Sequence, residues 1–268
     1  TTMKKRGLLL GVLVGLAAWA NAQLPGQQDA IAETIEDKLS ELGIPGAVVG
    51  MVENGKTVYL RAHGISDPKT RAPMKPDAVF DLGTLSRQFQ VVSIWKLIER
   101  GQLSLDTQLT QYLPDYPVVA SGPQLRDLLR QTSGLPDPLD AEGFDLSKPA
   151  SPEEVLAAMK KGKPTQSGKL VSFSFGDGFA IGQLLKKRTG QNWWELAQDQ
   201  YWKPLGMTAT RVDGQPGVPG HMDEGEGKLG KPETLAPTTQ MLLGSGVRST
   251  VADLLKFEAA LLGERLIP

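Results

Sequence analysis

Apolar positions recur with helical spacing at Ile31, Ile35, Leu39 and Leu42, one stripe along Asp29 to Leu42, and Gly43 ends the run. The pattern then changes to two β-rich runs, Ala47–Val52 and Thr57–Leu60, joined by Glu53-Asn54-Gly55-Lys56. Asn-Gly between apolar runs predicts a tight hairpin. Asp67 to Pro76 is polar and proline-bearing and reads as loop; Ala78-Val79-Phe80 is a short strand-like run reaching Gly83. From Thr84 the pattern is helical again: Phe89, Val91, Val92, Ile94, Trp95 and Ile98 cover more than half the circumference, which predicts a buried helix closed by Glu99-Arg100-Gly101. Gln124 to Arg130 predicts a short helix running into a turn at Thr132–Pro136. Ser151-Pro152-Glu153-Glu154 carries an N-cap, a first-position proline and the Glu of a capping box.

Val171 to Phe175 alternates like a strand and leads into a Gly-rich turn, Gly176-Asp177-Gly178. A helix then runs to Arg188, another spans Asn192 to Tyr201 with Trp193 and Trp194 in the core, and a last one spans Ser249 to Leu262, capped by Ser249 or Thr250. The Gly- and Pro-rich stretch Pro204 to Pro237 predicts an exposed loop around Gly214 to Lys231. Within it Gly225–Gly230 matches G-x-G-x-x-G, but with no predicted strand before it or helix after it the match reads as accidental.

Composition narrows the chemistry. The 268 residues are 40% hydrophobic and 22% charged with a net charge of −1, so no basic footprint for nucleic acid is present. Cysteine is absent and only two histidines occur, His63 and His221, both read as surface or loop residues. That excludes thiolate nucleophiles and disulfides, argues against a metal centre, and leaves no cofactor motif. Met3-Lys4-Lys5-Arg6, the apolar run Gly7 to Ala18 and Ala20-Asn21-Ala22 together form the pattern of a cleavable export signal. Residues 1–22 are therefore expected to be removed after Ala22, leaving a periplasmic or secreted domain, 23–268, with no stable membrane anchor.

The candidate chemistry lies at Phe80–Phe89. A hydroxyl at Thr84 opens a helix and a cation at Arg87 follows three positions on, on the same face. A helix N-terminus favours developing negative charge, which is the layout of an acyl-transfer nucleophile. Beside this reading stand plainer ones: Thr84 as a helix N-cap, Arg87 as a salt-bridged or solvent-facing residue, Asp177 as a turn residue. Ser86 has Phe89 rather than lysine three positions on. No G-x-S-x-G elbow occurs.

This stretch resembles the β-lactamase-related serine hydrolases: class C β-lactamases, DD-peptidases and related esterases. The likeness extends over Ile44–Val49, Gly55-Lys56, Gly64–Asp67, Leu97–Asp106, Leu128–Pro136 (similar to the family's LLTHTSGLP) and Ser249–Leu254 (similar to STAxDL). It implies an α+β sandwich: an antiparallel sheet flanked by helices, plus an all-helical subdomain. It also implies a small-molecule or peptide acyl substrate, whether β-lactam, D-Ala peptide or ester. The family's Ser-x-x-Lys falls on Thr84 and Arg87. Threonine needs an activating base, and arginine cannot serve, since its pKa stays above about 12. The family's Tyr-x-Asn falls either on Phe173 and Phe175 or on Phe175 and Asp177, and in both registers the phenol is gone. The third motif, Lys/His-x-Gly, would follow the Ser249 helix, and the chain stops at Pro268 before it; Arg188-Thr189-Gly190 reads as a helix cap. The expectations are a truncated reading with its C-terminal strands missing and a hydrolase-derived site that is inactive or impaired. The degenerate catalytic positions are Thr84, Arg87 and Asp177, and Phe173 and Phe175 line the substrate cleft. The alternatives are an active acyl hydrolase using Thr84, or a non-catalytic cell-wall peptide-binding protein.

Overall fold

The computed structural model describes residues 25–118, 122–215, 217–223, 229–232 and 235–267. The expected export segment, 1–22, lies outside the described residues.

Helix α1 (Pro25–Glu41) packs on a hairpin of β1 (Gly46–Glu53) and β2 (Lys56–Asp67). Asn54 and Gly55 both take positive φ, 50° and 74°, and Glu53 faces Lys56, so the Asn-Gly turn forms as its chemistry demands. A third strand, β3 (Ala72–Pro73), pairs antiparallel with β2, giving the order β1-β2-β3 where the sequence pattern predicted a two-stranded ribbon followed by loop. Helix α8 (Val251–Leu262) covers the sheet beside β1. Gly50 of β1 permits this approach: a Cβ there would lie 2.7 Å from the Leu255 and Val251 side chains. His63 is not a surface residue. It is 4% exposed, with Nε2 3.1 Å from the Tyr59 hydroxyl and Nδ1 3.4 Å from Glu36 of α1, because β2 turns that face toward α1.

The helical region follows. A two-residue strand β4 (Phe80–Asp81) pairs with β7 (Arg248–Ser249), joining the start of the candidate motif to the start of α8. The chain enters α2 (Arg87–Glu99) through a 3₁₀ turn, Gly83–Ser86, so the helix begins three residues later than the pattern predicted. Thr84 lies inside that turn and is not an N-cap; the Asp81 carboxylate accepts from Gly83 N–H at 2.9 Å instead. Next come α3 (Leu125–Leu129) and α4 (Pro152–Lys161), whose expected capping box is formed: Ser151 N–H donates to Glu154 Oε2 at 2.7 Å and Glu154 N–H to Ser151 Oγ at 3.2 Å.

Helix α5 (Phe175–Thr189) absorbs the predicted Gly-rich turn as its first turn, and Val171–Ser174 is irregular rather than strand. Ser174 caps it, accepting from Gly176 N–H at 2.9 Å. The two glycines serve close approach, not turning: a Cβ on Gly176 would sit 2.4 Å from the Pro136 carbonyl oxygen, and one on Gly178 2.3 Å from that of Leu243. Gly190, φ 81°, ends α5 as expected of a left-handed cap. Helix α6 (Trp193–Ala197) continues as a π-helical segment, Gln198–Trp202. A hairpin of β5 (His221–Asp223) and β6 (Leu229–Pro232) interrupts the loop expected at Gly214–Lys231, so a strand does precede the G-x-G-x-x-G match, whose first residues lie outside the described ones. Helix α7 (Pro237–Leu242) leads back to β7, and Thr250 caps α8 through Asp253 N–H at 3.2 Å.

One apolar core joins α2, α5, α6 and α8. Its centre is aromatic: the Phe89 ring lies 5.1 Å from Trp202, 5.0 Å from Phe257 and 6.2 Å from Tyr201. The molecule is thus a mixed α and β fold, with small antiparallel sheets and helices packed around this core.

Candidate active site

Three of the five expected site residues meet at one cleft of about 450 Å³: Thr84, Arg87 and Phe173. The first two come from the 3₁₀ turn and the first turn of α2, the third from the irregular segment before α5. Thr84 is exposed, and its hydroxyl has no hydrogen-bond partner among the described residues. The cleft continues along an apolar wall formed by α2, the end of α3 at Leu128 and Leu129, and the end of α8.

Arg87 is buried at 8% exposure, contrary to a salt-bridged or solvent-facing residue. Its Cζ lies 4.5 Å from the centre of the Phe173 ring, and Nη2 donates to the Ser174 carbonyl at 3.0 Å. Nε and Nη1 are buried without partners among the described residues. Burial lowers the guanidinium below the usual arginine value, against the opposing pull of Asp177 and Asp137. It stays charged at any ordinary pH, so Arg87 can orient an anion and cannot accept a proton from Thr84.

Asp177 and Phe175 stand behind this cleft rather than on it. The Asp177 carboxylate, 1% exposed, accepts from the Ser133 hydroxyl through Oδ1, while Oδ2 is buried without a partner among the described residues. Burial pushes its carboxyl up to about 7; Ser133 and Arg87 pull it down, and Asp137 and Asp127 add to the rise. Asp137 receives Phe175 N–H at 3.1 Å and Leu139 N–H at 2.9 Å, and burial raises its carboxyl as well. Phe175 stacks edge-on against Phe173 at 5.3 Å.

Ser133 and Asp137 were not picked out by sequence reasoning. Their signal is the block Thr132–Pro136: a Ser beside Gly134 (φ 72°) places its Oγ between Leu135 N–H, at 3.0 Å, and Asp177. Ser86 is a framework residue, its buried Oγ accepting Val247 N–H at 3.2 Å. No cluster able to hold a metal ion occurs among the described residues.

Comparison with known proteins agrees with this architecture. The chain is 26% identical over 188 residues to Protein flp of Staphylococcus aureus (strain NCTC 8325 / PS 47), covering 68% of this chain and 38% of that protein. It is 26% identical over 215 residues to Esterase EstB of Burkholderia gladioli, covering 69% of this chain and 51% of the relative. The match thus spans 38% and 51% of the length of these two relatives. D-amino acid amidase from Ochrobactrum anthropi SV3, solved with D-phenylalanine, shares the fold at a TM-score of 0.78 and 22% identity, over 90% of this chain and 72% of that one. A class C β-lactamase from Rhodobacter sphaeroides superposes with a TM-score of 0.69 and 25% identity, over 88% and 65%. The Beta-lactamase family profile matches residues 31–268, nearly the whole described chain, and the chain belongs to that family.

Proposed function

We propose that this protein is an exported member of its family whose acyl-transfer site is catalytically impaired and whose cleft is kept for binding an acyl ligand. One observation carries the reading. At the position where a proton acceptor is needed, three residues after the hydroxyl, stands a buried guanidinium covered by Phe173. General-base help contributes typically about 10²–10⁴-fold to such reactions, and no replacement base contacts Thr84 among the described residues. Asp177, the carboxylate nearest in kind to a base, is tied to Ser133 and does not line the cleft. Purified protein is expected to hydrolyse p-nitrophenyl esters and chromogenic β-lactams no faster than Thr84→Ala. Turnover that Thr84→Ala removes would refute the reading.

An exposed Thr84 hydroxyl opening on an apolar cleft favours the second reading, an unusual acyl hydrolase with threonine as nucleophile. That reading requires a covalent acyl-threonine. Export is supported by the basic and apolar run ahead of Ala22; N-terminal sequencing of protein recovered outside the cytoplasm should begin at Gln23.

A further inference from the structure

A cation that has lost its family's proton-transfer task raises the question of what it now meets. Arg87 uses one of its nitrogens, Nη2, on the Ser174 carbonyl; Nε and Nη1 are buried without partners among the described residues. Among those residues Arg87 forms no ion pair. A buried guanidinium left this way is costly, and its planar fork matches a carboxylate. The rest of the cleft is mainly apolar: Leu85, Val91, Leu128, Ile181, Phe257 and Leu261 form much of its wall, and Thr84, Gln88 and Gln131 are its uncharged polar residues. At about 450 Å³ it lies within the roughly 300–1,000 Å³ of small-molecule sites. Phe173, 44% exposed, lies over the guanidinium and is the cover that would have to turn outward for a ligand to reach it.

We infer that the cleft binds an apolar monocarboxylate, its carboxylate held by Arg87 and its chain laid along the α2–α8 wall. The inference rests on the non-catalytic reading above: the acid is held as a ligand, not released as a product. The groups facing Arg87 favour an anion. Burial pushes Asp177 up to about 7, so it does not fully compensate the guanidinium near pH 6, and burial raises Asp137 as well. The charged or titratable groups facing Asp177 are Arg87, Asp137 and Asp127. As Asp177 ionises between pH 6 and 8 it competes for Arg87, and the bound carboxylate should be released.

Isothermal titration of the protein with decanoate, decanol and acetate tests this. Decanoate should bind at pH 6, decanol at least about tenfold more weakly, and acetate undetectably, because charge and chain are both required. Affinity for decanoate should fall at pH 8. Arg87→Met should lose at least about tenfold while still melting cooperatively. Leu261→Trp, which fills the apolar wall without touching the charge, should lose affinity too. Equal binding of decanoate and decanol, unchanged binding in either variant, or no decanoate binding because the chain itself fills the cleft would each overturn the inference. Ester hydrolysis followed in the same samples separates the two levels. Without binding and without hydrolysis, this inference fails and the impaired-site reading stands; hydrolysis removed by Thr84→Ala defeats that reading whatever binds.

Discussion

Two side chains in the first turn of α2, on opposite faces of the helix, meet the interior in opposite ways. On one face, Phe89 is enclosed by three rings, and the hydroxyls of Ser93 and Tyr201 both donate to its carbonyl, at 3.1 and 2.5 Å, while the Trp202 Nε1 is buried without a partner among the described residues. On the other, two residues earlier, Arg87 carries two buried nitrogens without partners among the described residues and faces Asp177, whose Oδ2 is equally unmatched among them. Native interiors satisfy nearly all their buried polar atoms, so a concentration of unmet ones around a cleft marks a place shaped by something other than stability. The aromatic centre holds the fold; the corner is where the proposed site lies.

The largest effect should come from the centre. Phe89→Ala removes the ring at the meeting point of α2, the π-helical segment and α8, and should cost about 3–5 kcal/mol in urea unfolding. Arg87→Met, by contrast, should cost less than about 1 kcal/mol, since a buried charge is replaced by apolar volume. If Arg87→Met proved as damaging as Phe89→Ala, the contrast between the two regions would collapse. Ser133→Ala leaves Asp177 without its one hydrogen bond and should cost about 1–3 kcal/mol.

Asp177 sharpens the contrast through pH. Its carboxyl is raised from the usual 3.8 to about 7, so between those values the folded protein holds more protons than the unfolded chain, and stability falls as pH rises through that window. Asp177→Asn should therefore leave Tm almost unchanged near pH 4 and raise it by on the order of 10 °C at pH 8. A wild-type Tm that does not decline between pH 5 and 8 would show that Asp177 is not held neutral. Smallest of all, Thr84→Ala should change stability by no more than about 0.5 kcal/mol, because the side chain is exposed and unbonded among the described residues.

Where local chemistry decides, the sequence was readable. The Asn54-Gly55 turn, the Ser151 capping box, the Gly190 stop and the Thr250 cap form as their residue types require. Where a distant contact decides, it was not. Gly176 and Gly178 carry the signature of a turn, yet they sit in a helix because the Pro136 and Leu243 carbonyls press against them. His63 reads as a surface residue until α1 is laid over β2. Val171–Phe175 alternates like a strand, but Ser174 takes the cap of α5 and leaves Leu170 and Val171 exposed. Thr84 and Arg87 line one cleft, but Thr84 does so from the 3₁₀ turn and not from the helix that the spacing predicted. The burial of Arg87 under Phe173 depends on residues some 87 positions apart along the chain, and spacing carries no information about it. Ser133 went unassigned for the same reason: its partner Asp177 lies 44 residues away.

The central claim is that Thr84 is a hydroxyl without a base. Intact-mass spectrometry of the protein after incubation with a fluorophosphonate tests it most directly. The account predicts an unmodified mass for the wild type, indistinguishable from that of Thr84→Ala. A stoichiometric adduct that maps to Thr84 and is absent from Thr84→Ala would contradict it.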